Sequence, residues 1–269
     1  MQLSAITDEI SADLDTALRV CDSLGLETIE LRTVEGCNLV HHDGAALRRM
    51  RSAIRGGGFH CAVIDTPFLK EAVAGTAVSD DEWAALRRGL SAAADFGATT
   101  VRVFAGARQD QSNGALGWAA DVLAEAIALA DEAGLRLALE IEFACAVATG
   151  LEAAMVLDQL PAGALGIVWD PGNEARFAGA APSREGYEAL RDTIVHVHVK
   201  DVDASGRWTR VGDGIADWGG ELRRLAADGY DGLLSLETHY SLPSGGLVAA
   251  TRECAAALRE LADREGIAL

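Results

Sequence analysis

Residues 194–201 read Ile-Val-His-Val-His-Val-Lys-Asp, and this stretch alternates apolar and polar side chains. A repeat of two residues with β-branched side chains is typical of a β-strand. The repeat places His196, His198 and Lys200 on one face. Two imidazoles and an ammonium group repel each other when charged, and a divalent metal with an anionic or hydroxylated ligand would remove that conflict. The alternative is a core histidine that hydrogen bonds to a backbone carbonyl.

On both sides of this strand, the chain repeats a unit of strand, loop and helix. Strand patterns lie at 3–6, 28–32, 59–64, 99–104, 135–143, 165–170, 194–201 and 232–237. Helical patterns lie at 11–24, 44–55, 80–96, 114–132, 150–160, 184–192, 218–228 and 244–265. These alternations, with no linker between them, predict one α/β domain over residues 1–269, a single (β/α)8 TIM barrel. A doubly wound open sheet is the alternative, although no Gly-rich dinucleotide turn follows the first strand.

The connections differ in length at the two ends of the predicted barrel. Those from helix to strand are short, as at 25–27, 97–98 and 229–231. Those from strand to helix are longer, notably 65–79, 170–183 and 201–217. TIM barrels carry their active sites at this second end, so we expect the functional residues there.

The amino-acid composition limits the kinds of molecule that the protein is expected to bind. The chain has 269 residues, with 23 basic and 41 acidic side chains and a formal net charge of −18. That charge argues against nucleic acid and anionic membrane surfaces as partners. The sequence shows neither a signal-peptide pattern nor an apolar run long enough to span a membrane. Five scattered cysteines without metal-ligand spacing indicate a reducing compartment, so we expect a cytoplasmic protein.

Polar residues stand at the ends of the last four predicted strands. They are Glu140, Asp170, His198 and Glu237. Because parallel strands of a barrel end at the same rim, the three carboxylates would repel each other there unless a cation lay among them. Carboxylate oxygens with one imidazole suit Mn²⁺, Mg²⁺, Co²⁺ or Zn²⁺. Any one of these acids, taken alone, is more typical of a helix cap or a surface ion pair, but four such residues together are not.

Longer motifs around these residues resemble the sugar isomerase/epimerase group of the xylose isomerase-like TIM barrels. The resemblance covers nearly the whole chain, and its most specific parts are residues 169–173, 196–201, 211–218 and 229–237. Residues 30–38 also look like one branch of the group. It implies one divalent metal ion bound by Glu140, Asp170, His198 and Glu237. It also implies that the two glutamates are catalytic, flank the substrate carbon and move protons on its opposite faces.

Such a site suits proton transfer next to a carbonyl group. Removal of the proton creates an enediolate, whose negative charge a chelating metal stabilises. A carboxylate above the carbon takes the proton, and another group returns it. Return to the same carbon gives an epimer, return to the neighbouring carbon gives an isomer, and loss of a β-hydroxyl gives a dehydrated product.

Further polar residues are predicted to bind substrate. They are Arg102, Glu142, Asn173, Lys200, Arg210 and His239. Glu142 and Lys200 share the inward faces of their strands with metal-ligand candidates, and His239 is a candidate proton carrier. The alternative for each charged side chain is a structural ion pair. Trp169, Trp208 and Trp218 are candidates for an apolar wall against a sugar, although core packing is the better explanation for Trp169.

The sequence also departs from the family pattern. Many relatives have histidine at the position of Asn173, so a second imidazole is missing there. Residues 207–214 contain no histidine, whereas the DNA-repair endonucleases of the superfamily need extra histidines for three zinc ions. Residues 170–173 lack the additional acids of two-metal xylose isomerases, and no Gly-rich phosphate cradle is evident.

These observations lead to three hypotheses. The first is a metal-dependent isomerase or epimerase of a small sugar or polyhydroxy carbonyl compound. The second is a metal-dependent dehydratase of the inosose or dehydroshikimate type, which an arginine in the pocket would favour. The third is a barrel that binds a polyol without turnover. The sequence leaves the substrate, the native metal and the formation of a homo-oligomer open.

Overall fold

A closed ring of eight parallel strands forms the centre of the computed structural model, which describes residues 1–109 and 114–269. In chain order the barrel strands are β1 Gln2–Ile6, β2 Thr28–Leu31, β3 His60–Asp65, β4 Thr100–Val103, β5 Arg136–Glu140, β6 Gly166–Trp169, β7 Ile194–Val199 and β8 Leu233–Leu236. Each strand pairs in parallel with the next one in sequence, and β8 pairs with β1. The predicted (β/α)8 TIM barrel is therefore confirmed.

Helices surround this barrel. Within the described ranges they are α1 Leu14–Ser23, α2 Gly44–Gly56, α3 Asp80–Phe96, α4 Ala115–Glu132, α5 Gly150–Leu157, α6 Pro171–Ala178, α7 Arg184–Leu190, α8 Trp218–Ala227 and α9 Gly246–Glu265. The bounds of α3 agree with the prediction because Ser79 caps its start and Gly97 ends it in the left-handed conformation. In residues 1–109 and 114–269, no helix has the length and apolarity that crossing a membrane requires.

Helices α1 and α6 depart most from the sequence prediction. Helix α1 begins at Leu14 rather than Ser11, because the Asp13 carboxylate is the cap and accepts the backbone N–H of Thr16 at 2.8 Å. Helix α6 lies inside the connection 170–183 that the sequence analysis treats as a loop. Proline is favourable in the first turn of a helix, so Pro171 starts α6 instead of preventing it.

Strand β7, which contains the alternating histidines, is buried on both faces. His196, His198 and Lys200 point into the barrel, and all three are at most 2% exposed. Val197 and Val199 on the other face are fully buried too, as expected for a parallel strand covered by helices. The polar interior face of β7 therefore lies in a region without bulk water, where each charge needs a partner.

Two short hairpins stand on the strand-to-helix side of the barrel. One joins Thr33–Val34 to Cys37–Asn38, and the other joins Asp201–Val202 to Trp208–Thr209. The buried Asp201 carboxylate accepts backbone N–H groups of residues 202, 212, 214 and 216, so it shapes the whole connection before α8. A Cβ atom on Gly214 would lie 2.1 Å from that carboxylate, which explains the glycine. The motif at 211–218 thus has a structural role.

Candidate active site

The predicted donor residues meet at the carboxyl ends of the strands. Glu140 ends β5, Asp170 follows β6, His198 lies near the end of β7 and Glu237 follows β8. Each offers one ligand atom, and these atoms lie within 4.8 Å of one another in a fully buried group. The structure therefore brings together the four side chains that the strand-end pattern selects, and we call them the donor cluster.

The imidazole of His198 lies among the three carboxylates. Its Nδ1 is 3.4 Å from Glu140 Oε1, 3.2 Å from Glu237 Oε2 and 3.8 Å from Asp170 Oδ2. Burial lowers the pKa of His198, but the surrounding carboxylates outweigh burial and raise the pKa well above its usual range. The donor cluster is thus an environment that attracts positive charge.

Glu30 fixes the other side of this imidazole. Its Oε1 is 3.0 Å from His198 Nε2, whereas His198 Nδ1 is buried without a hydrogen-bond partner in the described residues. A metal-binding histidine characteristically presents one ring nitrogen to the metal and donates the other N–H to a carboxylate. The arrangement of donor oxygens around an unpartnered Nδ1 therefore fits a divalent metal ion.

The same carboxylate also holds His196, whose Nε2 is 2.8 Å from Glu30 Oε2. Burial raises the pKa of Glu30, but His196 and His198 outweigh burial and hold the pKa well below its usual range. The β-ladders shift register next to Glu30 in β2 and next to Val168 opposite His196. Sequence reasoning missed Glu30 as a site residue. The local signals are an acid inside the otherwise uncharged strand Thr-Ile-Glu-Leu and its place at the start of the motif 30–38.

Lys200 and Arg102 are held by the carboxylates of the donor cluster. Lys200 Nζ is 2.6 Å from Glu237 Oε2 and 2.8 Å from Asp170 Oδ2. Arg102 Nε is 3.0 Å from Glu140 Oε2 and 3.1 Å from the buried Asp65. Both predicted substrate-binding cations thus lie in the site, and both make the ion pairs that the sequence analysis named as the alternative.

Asn173 contributes an amide where many relatives have an imidazole. Its backbone N–H donates to Asp170 Oδ1 at 2.8 Å, which makes Asp170 the cap of α6. Its side-chain Nδ2 donates to Asp170 Oδ2 at 2.9 Å and to Glu140 Oε1 at 3.3 Å. The α6 start therefore orients two members of the donor cluster. Burial raises the pKa of Asp170 to about 7, even though Lys200 acts in the opposite direction.

His239 joins the donor cluster to a second acid, Glu9. Its Nε2 is 3.3 Å from Glu237 Oε1, while its Nδ1 is 2.8 Å from Glu9 Oε1. The backbone of His239 has a φ of 55°, and its N–H donates to Glu9 Oε2 at 2.7 Å. Arg32 pairs with Glu9 and, at 2.6 Å, with Glu237. Sequence reasoning did not find Glu9, because it lies in a turn far from β8 in the chain.

Glu142 lies beside the cluster, but Arg210 does not join it. Glu142 is 4% exposed and its carboxylate lies 3.6 Å from Lys70 Nζ, so it makes the ion pair that is the alternative to substrate binding. Arg210 instead pairs with Asp213 and with Glu260 of α9. These ion pairs occupy the guanidinium of Arg210. No contact between Arg210 and the donor cluster occurs in the described residues to support its predicted role in substrate binding.

Aromatic side chains line one side of the site. Trp208 lies edge-on to His239 at 5.2 Å between ring centres and within 5.3 Å of Lys200 Nζ. The other two candidate tryptophans are buried in the structure: Trp169 donates its N–H to Glu221, and Trp218 donates its N–H to the carbonyl of residue 200. Of the three indoles, Trp208 is therefore the one placed to contact a substrate.

This arrangement can carry out proton transfer on a small bound molecule. Carboxylates, an imidazole and an ammonium group converge in a site that excludes bulk water, where charge interactions are strong.

The fold and the cluster together define a (β/α)8 barrel with a buried carboxylate–imidazole centre that could bind a metal ion. The family model for the xylose isomerase-like TIM barrel matches residues 18–261, so the chain belongs to that family, as the resemblance implied.

Comparison with known proteins gives structural relatives of low identity. The IOLI protein with a bound zinc atom has a TM-score of 0.78 at 16% identity, over 98% of this chain and 99% of that one. The 3-keto-D-glucoside 4-epimerase YcjR from E. coli has a TM-score of 0.74 at 18% identity, over 97% of this chain and 100% of that one. The probable 3-DHS dehydratase AsbF from Bacillus anthracis has a TM-score of 0.75 at 18% identity, over 98% of this chain and 100% of that one. These likenesses show the fold alone, and no curated protein sequence matches significantly.

Proposed function

We propose that this protein is a divalent-metal-dependent isomerase or epimerase of a small sugar or polyhydroxy carbonyl compound. The observation that carries the proposal is the unpartnered His198 Nδ1 among three carboxylates, with Glu30 holding the opposite ring nitrogen. Structural cores seldom bury so many ionisable groups together, because each one costs desolvation energy. A site for ionic chemistry accounts for that cost.

In this proposal Glu140, Asp170, His198 and Glu237 hold the metal ion. The metal supplies a Lewis acid that stabilises negative charge on the substrate oxygens. Glu140 or Glu237 takes the proton from the carbon beside the carbonyl, and the other glutamate returns it. Lys200 reaches both Asp170 and Glu237, so it can donate a hydrogen bond to a substrate oxygen as charge develops there.

Other residues position these groups. Asn173 orients Glu140 and Asp170, and Glu142 is placed to accept a hydrogen bond from a substrate hydroxyl. His239 is placed to carry a proton between Glu237 and Glu9. Trp208 offers an apolar face beside Lys200. Small polyhydroxy substrates need this combination of an apolar wall and directional polar contacts.

The alternative enzyme is a metal-dependent dehydratase of an inosose or of 3-dehydroshikimate. Support comes from the fold likeness to the probable 3-DHS dehydratase and from the concentration of cations beside the site. A barrel that binds a polyol without turnover is the non-enzymatic alternative. The intact pair Glu140 and Glu237 speaks against it. The cytoplasmic location, the absence of a nucleic-acid partner and the formation of a homo-oligomer remain predictions.

Metal content is the direct test of the proposed function. The purified protein is loaded in turn with Mn²⁺, Mg²⁺, Co²⁺ and Zn²⁺, dialysed and analysed for bound metal beside His198→Ala and the exposed control His41→Ala. We expect one equivalent in the wild type and in His41→Ala, and none in His198→Ala. Ketoses, inososes and 3-dehydroshikimate are then screened for turnover. No bound metal in any form of the wild type would overturn the proposal.

A further inference from the structure

Arg176, in the last turn of α6, stacks on two aromatic rings beside the donor cluster. Its guanidinium carbon is 4.3 Å from the centre of the Phe143 ring and 4.6 Å from the centre of the Trp208 ring. The two rings meet edge to face at 6.1 Å between centres, and all three side chains are half-buried. The rings therefore hold the guanidinium plane in position before any ligand arrives.

The indole ring of Trp208 lies between this guanidinium and the proposed catalytic centre. The Trp208 ring that contacts Arg176 is also 5.3 Å from Lys200 Nζ. Lys200 in turn contacts Asp170 and Glu237 of the donor cluster. One small molecule can therefore place a functional group on Arg176 and its reacting carbon at the cluster.

Arg176 differs from the other cations around the site in its electrostatic partners. Those cations form ion pairs with carboxylates: Arg32 with Asp8 and Glu9, Lys70 with Glu142, Arg102 with Asp65 and Glu140, Arg108 with Glu152, and Lys200 with Asp170 and Glu237. In the described part of the chain, no carboxylate forms an ion pair with Arg176. This lack of a partner is unexpected in a protein with a formal charge of −18.

The structural alternative is that Arg176 only stabilises helix α6. A cation in the last turn of a helix interacts favourably with the helix dipole, and its stem covers apolar surface. That role does not require the guanidinium to lie between two rings. Stacking covers the flat faces and leaves the N–H groups at the edge, which are the groups that bind a planar anion with two parallel hydrogen bonds.

We propose that Arg176 binds a carboxylate group of the substrate, so that the substrate is a polyhydroxy carbonyl compound that is also a carboxylic acid. This inference rests on the proposed function, because it takes the donor cluster as the reacting centre. A carboxylate matches one guanidinium in geometry and charge. A phosphate ester shares that anionic chemistry but usually also uses backbone N–H groups of a Gly-rich turn or helix start, and the sequence shows no Gly-rich phosphate cradle.

A carboxylated substrate is compatible with both enzymatic reactions. The isomerase or epimerase would then act on a sugar acid, and the alternative dehydratase on a carboxylated hydroxy ketone. In the dehydration a glutamate removes the proton beside the carbonyl, the β-hydroxyl leaves with a proton as water, and a carbon–carbon double bond forms. The bonding electrons of the broken C–H bond form the new bond, so no oxidant or reductant is needed.

Calorimetric titration of the Mn²⁺-treated protein tests the inference without depending on turnover. The probes are 3-dehydroshikimate as the carboxylate, D-tagatose as the neutral compound and D-fructose 6-phosphate as the phosphate ester. We expect 3-dehydroshikimate to bind the wild type, and to bind Arg176→Met about tenfold to a hundredfold more weakly, because a charge-assisted pair is lost. Arg176→Lys should lie between the two, since it keeps charge but not the planar fork.

The exposed Arg184, on α7, provides the matched control. Arg184→Gln also removes one positive charge, and it should bind 3-dehydroshikimate like the wild type. Circular dichroism verifies that the variants fold. Equal binding by wild type and Arg176→Met, or no binding of the carboxylate, would overturn the inference, as would Arg176-dependent binding of D-fructose 6-phosphate alone. Because metal content is measured separately, a protein that binds metal but not the carboxylate would refute this inference and leave the proposed function standing.

Discussion

The early and late halves of the barrel rim contribute different groups to the site. Strands β5 to β8 and the residues directly after them carry the donor cluster, whose ligand atoms lie within 4.8 Å of one another. The segments in and after β1 and β2 carry charges that pair with this second half, namely Glu9, Glu30 and Arg32. Asp65 of β3 instead holds Arg102 of β4, which pairs with Glu140. The comparison teaches that the late half presents the proposed reacting groups, and that the early half holds these side chains in position and balances their charge.

Replacing a donor should have the largest effect. Glu237→Gln removes a proposed acid/base group, so turnover of the true substrate should fall by about 10²–10⁴-fold. The fold should survive because Arg32 retains Asp8 and Lys200 retains Asp170. Steady-state kinetics beside circular dichroism measures both. Glu188→Gln, at an exposed position on α7, is the matched control. Full activity of Glu237→Gln would show that the assigned role is wrong.

Removing the buried cation should mainly affect stability. Lys200→Met leaves Asp170 and Glu237 without their ammonium partner, and breaking such a buried pair costs about 3–5 kcal/mol in the free energy of unfolding. Urea denaturation measures the loss, and we expect added Mn²⁺ to reduce it. Lys70→Met, at the other lysine of the chain, is the control. The Lys70 ammonium is 3.6 Å from the Glu142 carboxylate and its side chain is 43% exposed, so the loss of stability should be smaller. Equal losses in both variants would contradict this account.

The Glu9–His239 pair should make stability depend on acidity. Burial raises the pKa of Glu9, but His239 and Arg32 outweigh burial and lower it from 4.5 to about 2. A lowered pKa stabilises the folded state above pH 4.5 by about 3 kcal/mol, and this contribution is lost as the pH falls toward 2. The difference in unfolding free energy between the wild type and Glu9→Gln should therefore shrink over that window. A difference that stayed constant with pH would exclude the predicted contribution of Glu9 to the pH dependence of stability.

The smallest expected effect concerns the residue that orients His198. Glu30→Gln keeps the volume of the side chain but weakens the hydrogen bond to His198 Nε2. Removal of such a supporting carboxylate typically costs 10–100-fold in metal affinity, about 1.4–2.7 kcal/mol. Competition with a chromophoric chelator measures the affinity, with Glu35→Gln at an exposed position as the control. An unchanged affinity would assign Glu30 to the core rather than to the site.

Much of the architecture could be predicted from local patterns. Period-two strands, helix caps and glycine stops depend on neighbouring residues, and they led to the (β/α)8 barrel. Helix α6 was missed because the proline after Asp170 reads as a stop, whereas the Asp170 carboxylate caps a helix there. Arg210 was placed in the substrate site because its loop lies at the functional end, yet it pairs with α9.

The sequence alone determined the family, the barrel and the four candidate donors at the ends of its last four strands, because these depend on strand order and on residue type at strand ends. Only the tertiary structure decided which charges neutralise which. Glu30 meets His198 across 168 residues, and Glu9 meets His239 across 230. No local pattern encodes such pairs, because closure of the barrel brings opposite strands together and burial then makes each charge require a partner. The stacked Arg176 belongs to the same category, since its two aromatic rings come from different loops.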